Sequence, residues 1–375
     1  MVKTLLVIGE LGYKLIKNKA NNLHINTELI STDQCSTSDY TAIIRKIESV
    51  NPDVIISRTD PNFEYEAIRD FFVAKKFPHL KMINTGEKAS LLSYDKALMR
   101  HYLIESNIPI SRGHVISSDK LSMERLQKEL SLPIVIKQIH SSSGQGVFFV
   151  NDESELNDIK ERVKQQPLIV EEFIEGNECG LEVLKTKEAI LFYPPSYLGV
   201  TDKENPINKM RSSPYQLEEG TYLSIKEKLT EFISNHFDDF VGILQFDLIV
   251  TEQGWFVNEM NARISGLSHL NSSVTNLSPY DALVMLAAGK SITSVDYNGL
   301  VSTEFSVNID RNAINELSKH PNIQFIRGKV SGDEKIVTMK AGSYDELADV
   351  FKEIFGEPNP SIYEKIRALK EIAYV

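Results

Sequence analysis

Cysteine, long apolar runs, internal repeats and positive charge are all in short supply in this chain, and each shortage removes a class of protein. Only Cys35 and Cys179 occur among 375 residues. They stand far apart and lack the close spacing of a metal knuckle, so neither a disulfide framework nor a zinc site is expected. No apolar stretch approaches the roughly 20 residues that cross a bilayer. The N-terminal apolar run, Leu5 to Ile8, is too short for the core of a secretory leader, so a cytoplasmic protein without a membrane partner is expected. The absence of repeats and low-complexity tracts removes solenoids and disordered arrays. Lys and Arg total 41 against 52 Asp and Glu, a net charge of -11, and a field of that sign disfavours nucleic acid. Any anionic ligand therefore needs a local cationic pocket.

What is present is an ordinary globular composition, 42% hydrophobic and 25% charged, long enough for two or three domains. Residues 1 to 88 alternate apolar strands with helices: Thr4 to Ile8, Glu28 to Ser31, Asp53 to Ser57 and Lys81 to Asn84 as strands, Thr41 to Val50 and Glu64 to Lys76 as helices. That alternation predicts a parallel sheet. The Gly9/Gly12 pair hints at a dinucleotide turn, but the third glycine is missing and Asp33 reads equally well as a turn residue. An oxidoreductase would require that pair to bind a nicotinamide cofactor.

The densest chemistry lies between Val241 and Leu267. Leu244 to Val250 and Trp255 to Met260 read as two strands, joined by a three-residue loop (Glu252, Gln253, Gly254) with glycine in the left-handed position. That register sets Asp247 opposite Glu259. Side chains two apart share a strand face, so Glu259 and Asn261 point the same way, and Arg263 follows if the strand continues. Two carboxylates and an amide oxygen are hard donors of the kind Mg²⁺ (or Mn²⁺) accepts. The competing reading is a surface hairpin with solvated acids.

Three further stretches suit an anion or a nucleotide. Lys96 stands in the first turn of a helix over Asp95 to Ser106, where a cation opposes the helix dipole; an exposed surface lysine is the alternative. The strand Leu132 to Gln138 carries Lys137 and runs into Ser141-Ser142-Ser143-Gly144-Gln145-Gly146. Small residues there let backbone N–H groups approach a phosphate, although a hairpin loop without a ligand has the same composition. The run Leu168 to Leu184, with Glu171, Glu172, Phe173, Ile174 and Glu178, offers an extended backbone and an apolar slot for a base; an acidic edge strand is the alternative. Pro194 to Glu219 reads as a long irregular loop whose Lys209 and Arg211 suit a phosphate or a carboxylate, or simple solvation. His269 reads as structural more readily than as a substrate contact. The tail from Ser302 carries strands at Glu304 to Ile309 and Lys335 to Lys340, a helix at Ser343 to Phe355, and no evident chemistry.

Asp247 followed by Glu259-Met260-Asn261-Ala262-Arg263 resembles the metal signature of the ATP-grasp superfamily, and the other stretches stand in that family's order across residues 84 to 290. The resemblance is to the carboxylate–amine ligase type: L-amino-acid or dipeptide ligases, D-alanine–D-alanine ligase and the ATP-grasp domains of biotin carboxylases. It implies a mixed α/β and α+β fold in four parts: a parallel-sheet domain at 1–88, a nucleotide-loop subdomain at 89–187, a metal subdomain at 188–300 and a small α+β extension at 301–375. It also implies ATP and Mg²⁺ as cofactors, with Asp247, Glu259 and Asn261 on the metal and Lys96 and Lys137 on phosphates. The Ser141 to Gly146 loop would cover those phosphates. Glu171 and the backbone of Glu172 to Ile174 would read the base, and Glu178 the ribose. Arg263, with Lys209 and Arg211, would act on the reacting groups. The expected reaction joins a small carboxylate to an amine through an acyl phosphate. Carboxylation of the biotin-carboxylase or purine-biosynthetic kind, or ATP binding without turnover, are the alternatives. Gln245 departs from D-alanine ligases, which often carry arginine there, and the serine-rich loop departs from the carboxylases. Substrate identity and oligomeric state, a homodimer included, stay open.

Overall fold

The computed structural model describes residues 2–9, 12–31, 40–57, 66–141, 144, 146–163, 166–201, 210–328, 334–356 and 360–373. Cys35 and Asp33 lie outside them. Strands β1 (Thr4–Ile8), β2 (Asn26–Ile30), β3 (Val54–Ser57) and β4 (Lys81–Ile83) form a parallel sheet in the order β2-β1-β3-β4. Helices α1 (Tyr13–Asn22), α2 (Tyr40–Val50) and α3 (Glu66–Lys76) make its crossovers. The near-continuous burial of β1 and β3 is what a sheet covered on both faces demands. Gly12 has φ +69 and lies directly under the ring of Tyr280, where a side chain would collide. Close packing, rather than a dinucleotide turn, accounts for it.

Two helices that share one chain direction change lead onward: α4 (Glu87–Tyr94), which the pattern did not indicate, and α5 (Lys96–Glu105). Asp95 caps α5 by accepting from the Leu98 N–H at 2.8 Å, which satisfies an otherwise orphaned donor. A second sheet follows, ordered β5-β8-β6-β7 from β5 (Gly113–Ser117), β6 (Ile134–Gln138), β7 (Val147–Val150) and β8 (Pro167–Glu172). Helices α6 (Met123–Glu129) and α7 (Glu153–Arg162) accompany it.

The largest sheet takes in the rest. Its strands are β9 (Asn177–Lys185), β10 (Ile190–Phe192), β11 (Ser196–Val200), β12 (Arg211–Ser213), β13 (Gly242–Thr251), β14 (Gly254–Asn261), β15 (Val301–Asn308), β16 (Ile323–Gly328) and β17 (Glu334–Ala341). Their order is β14-β13-β9-β11-β12-β15-β17-β16, with β10 beside β9. Helices α8 (Glu219–His236), α9 (Leu267–Val274), α10 (Pro279–Ala287), α11 (Arg311–Leu317), α12 (Tyr344–Phe355) and α13 (Pro360–Ala373) complete the chain. This corrects one expectation and adds to two others. The stretch 194 to 219 contains two ladder strands, β11 and β12, rather than one loop. Strand β9, assigned to the second part, pairs with β13 over nine residues from Gly242↔Lys185 to Val250↔Asn177. The segment beyond 300 adds to the same sheet, because β15 and β17 prolong the sheet that carries the hairpin.

The first sheet is tied to the large one through Asn84. Held at φ 65, it accepts from the Ile243 N–H at 2.6 Å through Oδ1, while its own N–H donates to the Val241 carbonyl at 2.8 Å. Buried Leu5, Val7, Val54 and Ile56 share a core with Leu184, Ile243, Tyr280 and Leu283. Among the described residues no helix is long and apolar enough to cross a membrane.

At the heart of the large sheet Glu182 is fully buried. Its carboxylate accepts from Ser265 Oγ at 3.2 Å, from Asn271 Nδ2 at 2.7 Å and from Ser268 Oγ, binding β9 to the turn after β14 and to α9. Burial pushes the carboxyl up from an ordinary 4.5 to about 7, and the three hydrogen bonds only partly oppose that. A raised carboxyl binds its proton more tightly in the folded state, so the stabilisation is complete below pH 4.5 and fades as pH rises toward 7. A shift of this size is worth on the order of 3 kcal/mol. Glu182→Gln is expected to gain stability relative to wild type by that order between pH 5 and 7.5 in denaturant titrations; a pH-independent difference would contradict it.

Candidate active site

A cleft of about 340 Å³ opens between the second sheet and the β9-β13-β14 face of the large one. Its floor is the hairpin. Asp247 pairs with Glu259 across β13 and β14, as the spacing predicts, although Thr251↔Gly254 closes a tighter two-residue turn and Gly254 sits at φ 141 rather than in the left-handed helical region. The register then shifts between Asp247 and Leu248, which pairs with Val257, so that Asn258 is the extra residue of a bulge. Bulges re-aim side chains. Here the Asn258 Oδ1 accepts from Lys137 Nζ at 2.7 Å.

Burial, and then the neighbouring Glu259, push the Asp247 carboxyl up to about 6, against the pull of Gln245, Arg263 and Arg211. Glu259 goes the other way: burial would raise it, but Lys96 above all holds it below the usual range. Lys96 Nζ donates to Glu259 Oε1 at 2.9 Å and to the Ser141 carbonyl. Gln245 donates to Asp247 Oδ1 at 2.7 Å, and its Oε1 is buried without a partner among the described residues. Asn261, the cross-strand partner of Gln245, lines the same cleft. Two crowded carboxylates, an amide and an orphaned acceptor form a hard-oxygen set that fits Mg²⁺ or Mn²⁺. Phosphate oxygens and water would supply the remaining ligands. Among the described residues no group of three His, Cys, Asp or Glu side chains could do so instead.

Glu171 lines the cleft beside Glu172, Phe173 and Ile174 and has further partners. Its buried carboxylate accepts from Arg100 Nη1 at 2.9 Å and from Ser111 Oγ at 2.7 Å, and it pairs with Lys137. Burial would raise it, yet Lys137 and Arg100 bring it below the ordinary value. It is the counter-ion that holds Lys137 over the cleft, and it lines that cleft itself. Arg100 was not singled out from the sequence, although its position one turn after Lys96 puts both on one helix face. The apolar part of the cleft is lined by Val135, Val147, Phe149, Leu248 and Phe256, and Glu172, Phe173, Ile174 and Glu178 line it as well.

The small-residue loop springs from the β6–β7 hairpin. Ser141 Oγ donates to the Gln138 carbonyl at 3.1 Å, and Gly144 and Gly146 take φ values of 71 and 70. His140, stacked on Tyr94 at 4.3 Å, anchors its first residue to the end of α4. Gly144 lines the cleft, whereas Ser142, Ser143 and Lys209 lie outside the described residues. Arg211 on β12 and Arg263 just past β14 both line the cleft. His269 is buried, its ring tilted against that of Phe325 with centroids 4.4 Å apart, a packing position.

Metal ions bind carboxylates, so a proton on Asp247 competes with them. Since Asp247 is raised to about 6, divalent-ion affinity measured by calorimetry in the presence of nucleotide is expected to hold above pH 7 and to fall toward tenfold per unit well below pH 6. Asp247→Asn is expected to abolish that slope along with most of the affinity. A flat profile in wild type would remove Asp247 from the metal site.

A family model described as the ATP-grasp domain matches residues 101–278. The carbamoyl-phosphate synthase of Methanobrevibacter smithii is 26% identical over 297 residues, covering 76% of this chain and 77% of that protein. Among solved structures, N5-carboxyaminoimidazole synthetase from Staphylococcus aureus complexed with ADP superposes with a TM-score of 0.75 at 17% identity, covering 94% of this chain and 97% of that one. An L-amino acid ligase from Bacillus licheniformis gives 0.73 at 17%, over 95% and 97%. Residues 101–278 thus match the ATP-grasp domain and take in the cleft lining from Ser111 to Leu267, with Lys96 just before them, and the fold is similar to that of these enzymes over most of the chain.

Proposed function

We propose that this chain is an ADP-forming ligase that activates a small carboxylate with ATP and joins it to an amine, acting on amino-acid-sized substrates in the cytoplasm. The observation that carries this reading is the pairing of Asp247 with Glu259 at the floor of a cleft whose rim holds Lys96, Lys137, Arg211 and Arg263. Such an arrangement suits phosphoryl transfer, in which positioning and charge neutralisation supply nearly all of the catalysis.

Asp247, Glu259 and Asn261 would hold Mg²⁺, which when bound neutralises the β- and γ-phosphate oxygens. Lys96 and Lys137 place two ammonium groups on the nucleotide side, each oriented by a carboxylate, Glu259 and Glu171 respectively. The apolar slot receives the base, with the backbone of 172 to 174 along its edge. Arg263 stands at the metal end, where negative charge grows as the substrate carboxylate attacks the γ-phosphorus. The ADP oxygen departs, and the resulting acyl phosphate is opened by the amine with release of phosphate. Preorganised donors at such positions are worth about 3 to 4 kcal/mol each.

With ATP, Mg²⁺ and a pooled set of amino acids, ADP and phosphate are expected to accumulate together with a condensed product seen by mass spectrometry. Hydroxylamine should divert the acyl phosphate to a hydroxamate. Arg263→Met is expected to lower kcat by about 100-fold or more while leaving the KM for ATP near its wild-type value. AMP in place of ADP would overturn the scheme. Turnover only with bicarbonate and a ribotide amine would place the chain with the carboxylating members instead.

A further inference from the structure

The far end of the cleft contains a second charge arrangement, which shares only Arg211 with the surroundings of Asp247. Strands β12 and β15 pair with Arg211 opposite Glu304, and β16 brings Arg327 to the same place from across β17. Glu304 is buried, with Oε1 at 2.9 Å from Arg327 Nη2 and 3.7 Å from Arg211 Nη1, and Oε2 accepting from Thr338 Oγ1 at 3.4 Å. One carboxylate is thus shared by two guanidiniums. Their side chains are 30% and 24% exposed, so neither is sealed away, and the Arg327 Nε is buried without a partner among the described residues.

Both guanidiniums converge on Gly266. A Cβ built there would stand 2.7 Å from Arg211 Nη1 and 3.2 Å from Arg327 Nη2, so glycine leaves their donors clear. Helix α9 starts at the next residue without a side-chain cap, and a helix start adds partial positive charge in the same direction. Gly266 and Arg211 line the cleft together with Asp247 and Arg263. Arg263 is coupled to both Asp247 and Glu259, and Arg211 less strongly to Asp247 alone; at the corner itself two guanidiniums against one carboxylate leave a local surplus of one positive charge.

We propose that Arg211 and Arg327, bridged by Glu304 at the Gly266 corner, bind the carboxylate of the amine-bearing substrate, which makes that substrate a free amino acid. This rests on the ligase reading and narrows it. The carboxylate that is phosphorylated must lie against the γ-phosphate, beside Asp247 and Arg263. A second anion-binding corner at the far side of the turn suits a carboxylate that takes no part in the reaction and only orients the attacking amine. A surplus of one charge matches a monoanion, and the planar fork of arginine matches a carboxylate in a bidentate grip. The segment beyond residue 300 would then supply specificity.

The test is a calorimetric titration of the full chain saturated with Mg²⁺ and a non-hydrolysable ATP analogue. Probes are the individual L-amino acids, their carboxamides and ribose 5-phosphate. At least one free amino acid is expected to bind, with its carboxamide weaker by tenfold or more. Arg327→Met should weaken the free acid by a similar factor and Arg327→Lys by less. Gly266→Ala is expected to weaken it as well, because the new methyl group displaces the flexible end of Arg211 rather than the backbone. Nucleotide affinity on the same samples separates loss of this corner from loss of the fold. Equal binding of acid and carboxamide, wild-type affinity in Arg327→Met, no amino acid binding at all, or Arg327-dependent binding of ribose 5-phosphate alone would each overturn the proposal. Failure of the nucleotide analogue to bind wild type would instead overturn the ligase reading beneath it.

Discussion

The repulsion between Asp247 and Glu259 is the constraint around which the rest of the site is arranged. A hairpin register sets the two acids side by side in a half-buried setting, and neither burial nor a like-charged neighbour favours an ionised carboxylate. The protein resolves the conflict asymmetrically: Lys96 is bonded to Glu259 and keeps it ionised, while Asp247 has only an amide donor and more distant guanidiniums and is left poised. A site held in that state favours a divalent cation, since the ion removes the conflict that created it.

The same logic of shared counter-ions runs outward. Glu171 lies between Arg100 and Lys137, and Glu304 between Arg211 and Arg327. In each case a buried acid orients a cation that faces the cleft, which lets a chain of net charge -11 present positive potential where an anion has to bind. Buried pairs add little net stability, because desolvation offsets most of the attraction, but removing one partner leaves an uncompensated charge. Their effect here is geometric: each ammonium or guanidinium is fixed before a ligand arrives.

Much of this was legible in the chain because it is local. Two-residue periodicity gave the hairpin and the opposition of Asp247 and Glu259, and the strand–loop–strand around Lys137 was apparent from apolar runs and small residues. What could not be read depends on distant pairing. The bulge that turns Asn258 toward Lys137 has no compositional mark. The capture of Glu171 by Arg100 joins residues 71 apart. Strands β11 and β12 are short and flanked by prolines, so their sequence resembles a loop until β9 and β15 are present to pair with them. Arg327 looked like one charge in a tail without chemistry, and only the route β12-β15-β17-β16 brings it to Gly266.

That route also sets an order of assembly. Arg211 on β12 finds its ladder partner at Glu304, and β15 in turn needs β17, which ends at Ala341. The first sheet is complete by Ile83 and can form while the polypeptide is still emerging from the ribosome, as sequence-local units do. The wall of the cleft must wait until synthesis has passed Ala341, so a translation product halted around residue 300 would carry Asp247 and Glu259 on a sheet with an open edge and no far corner.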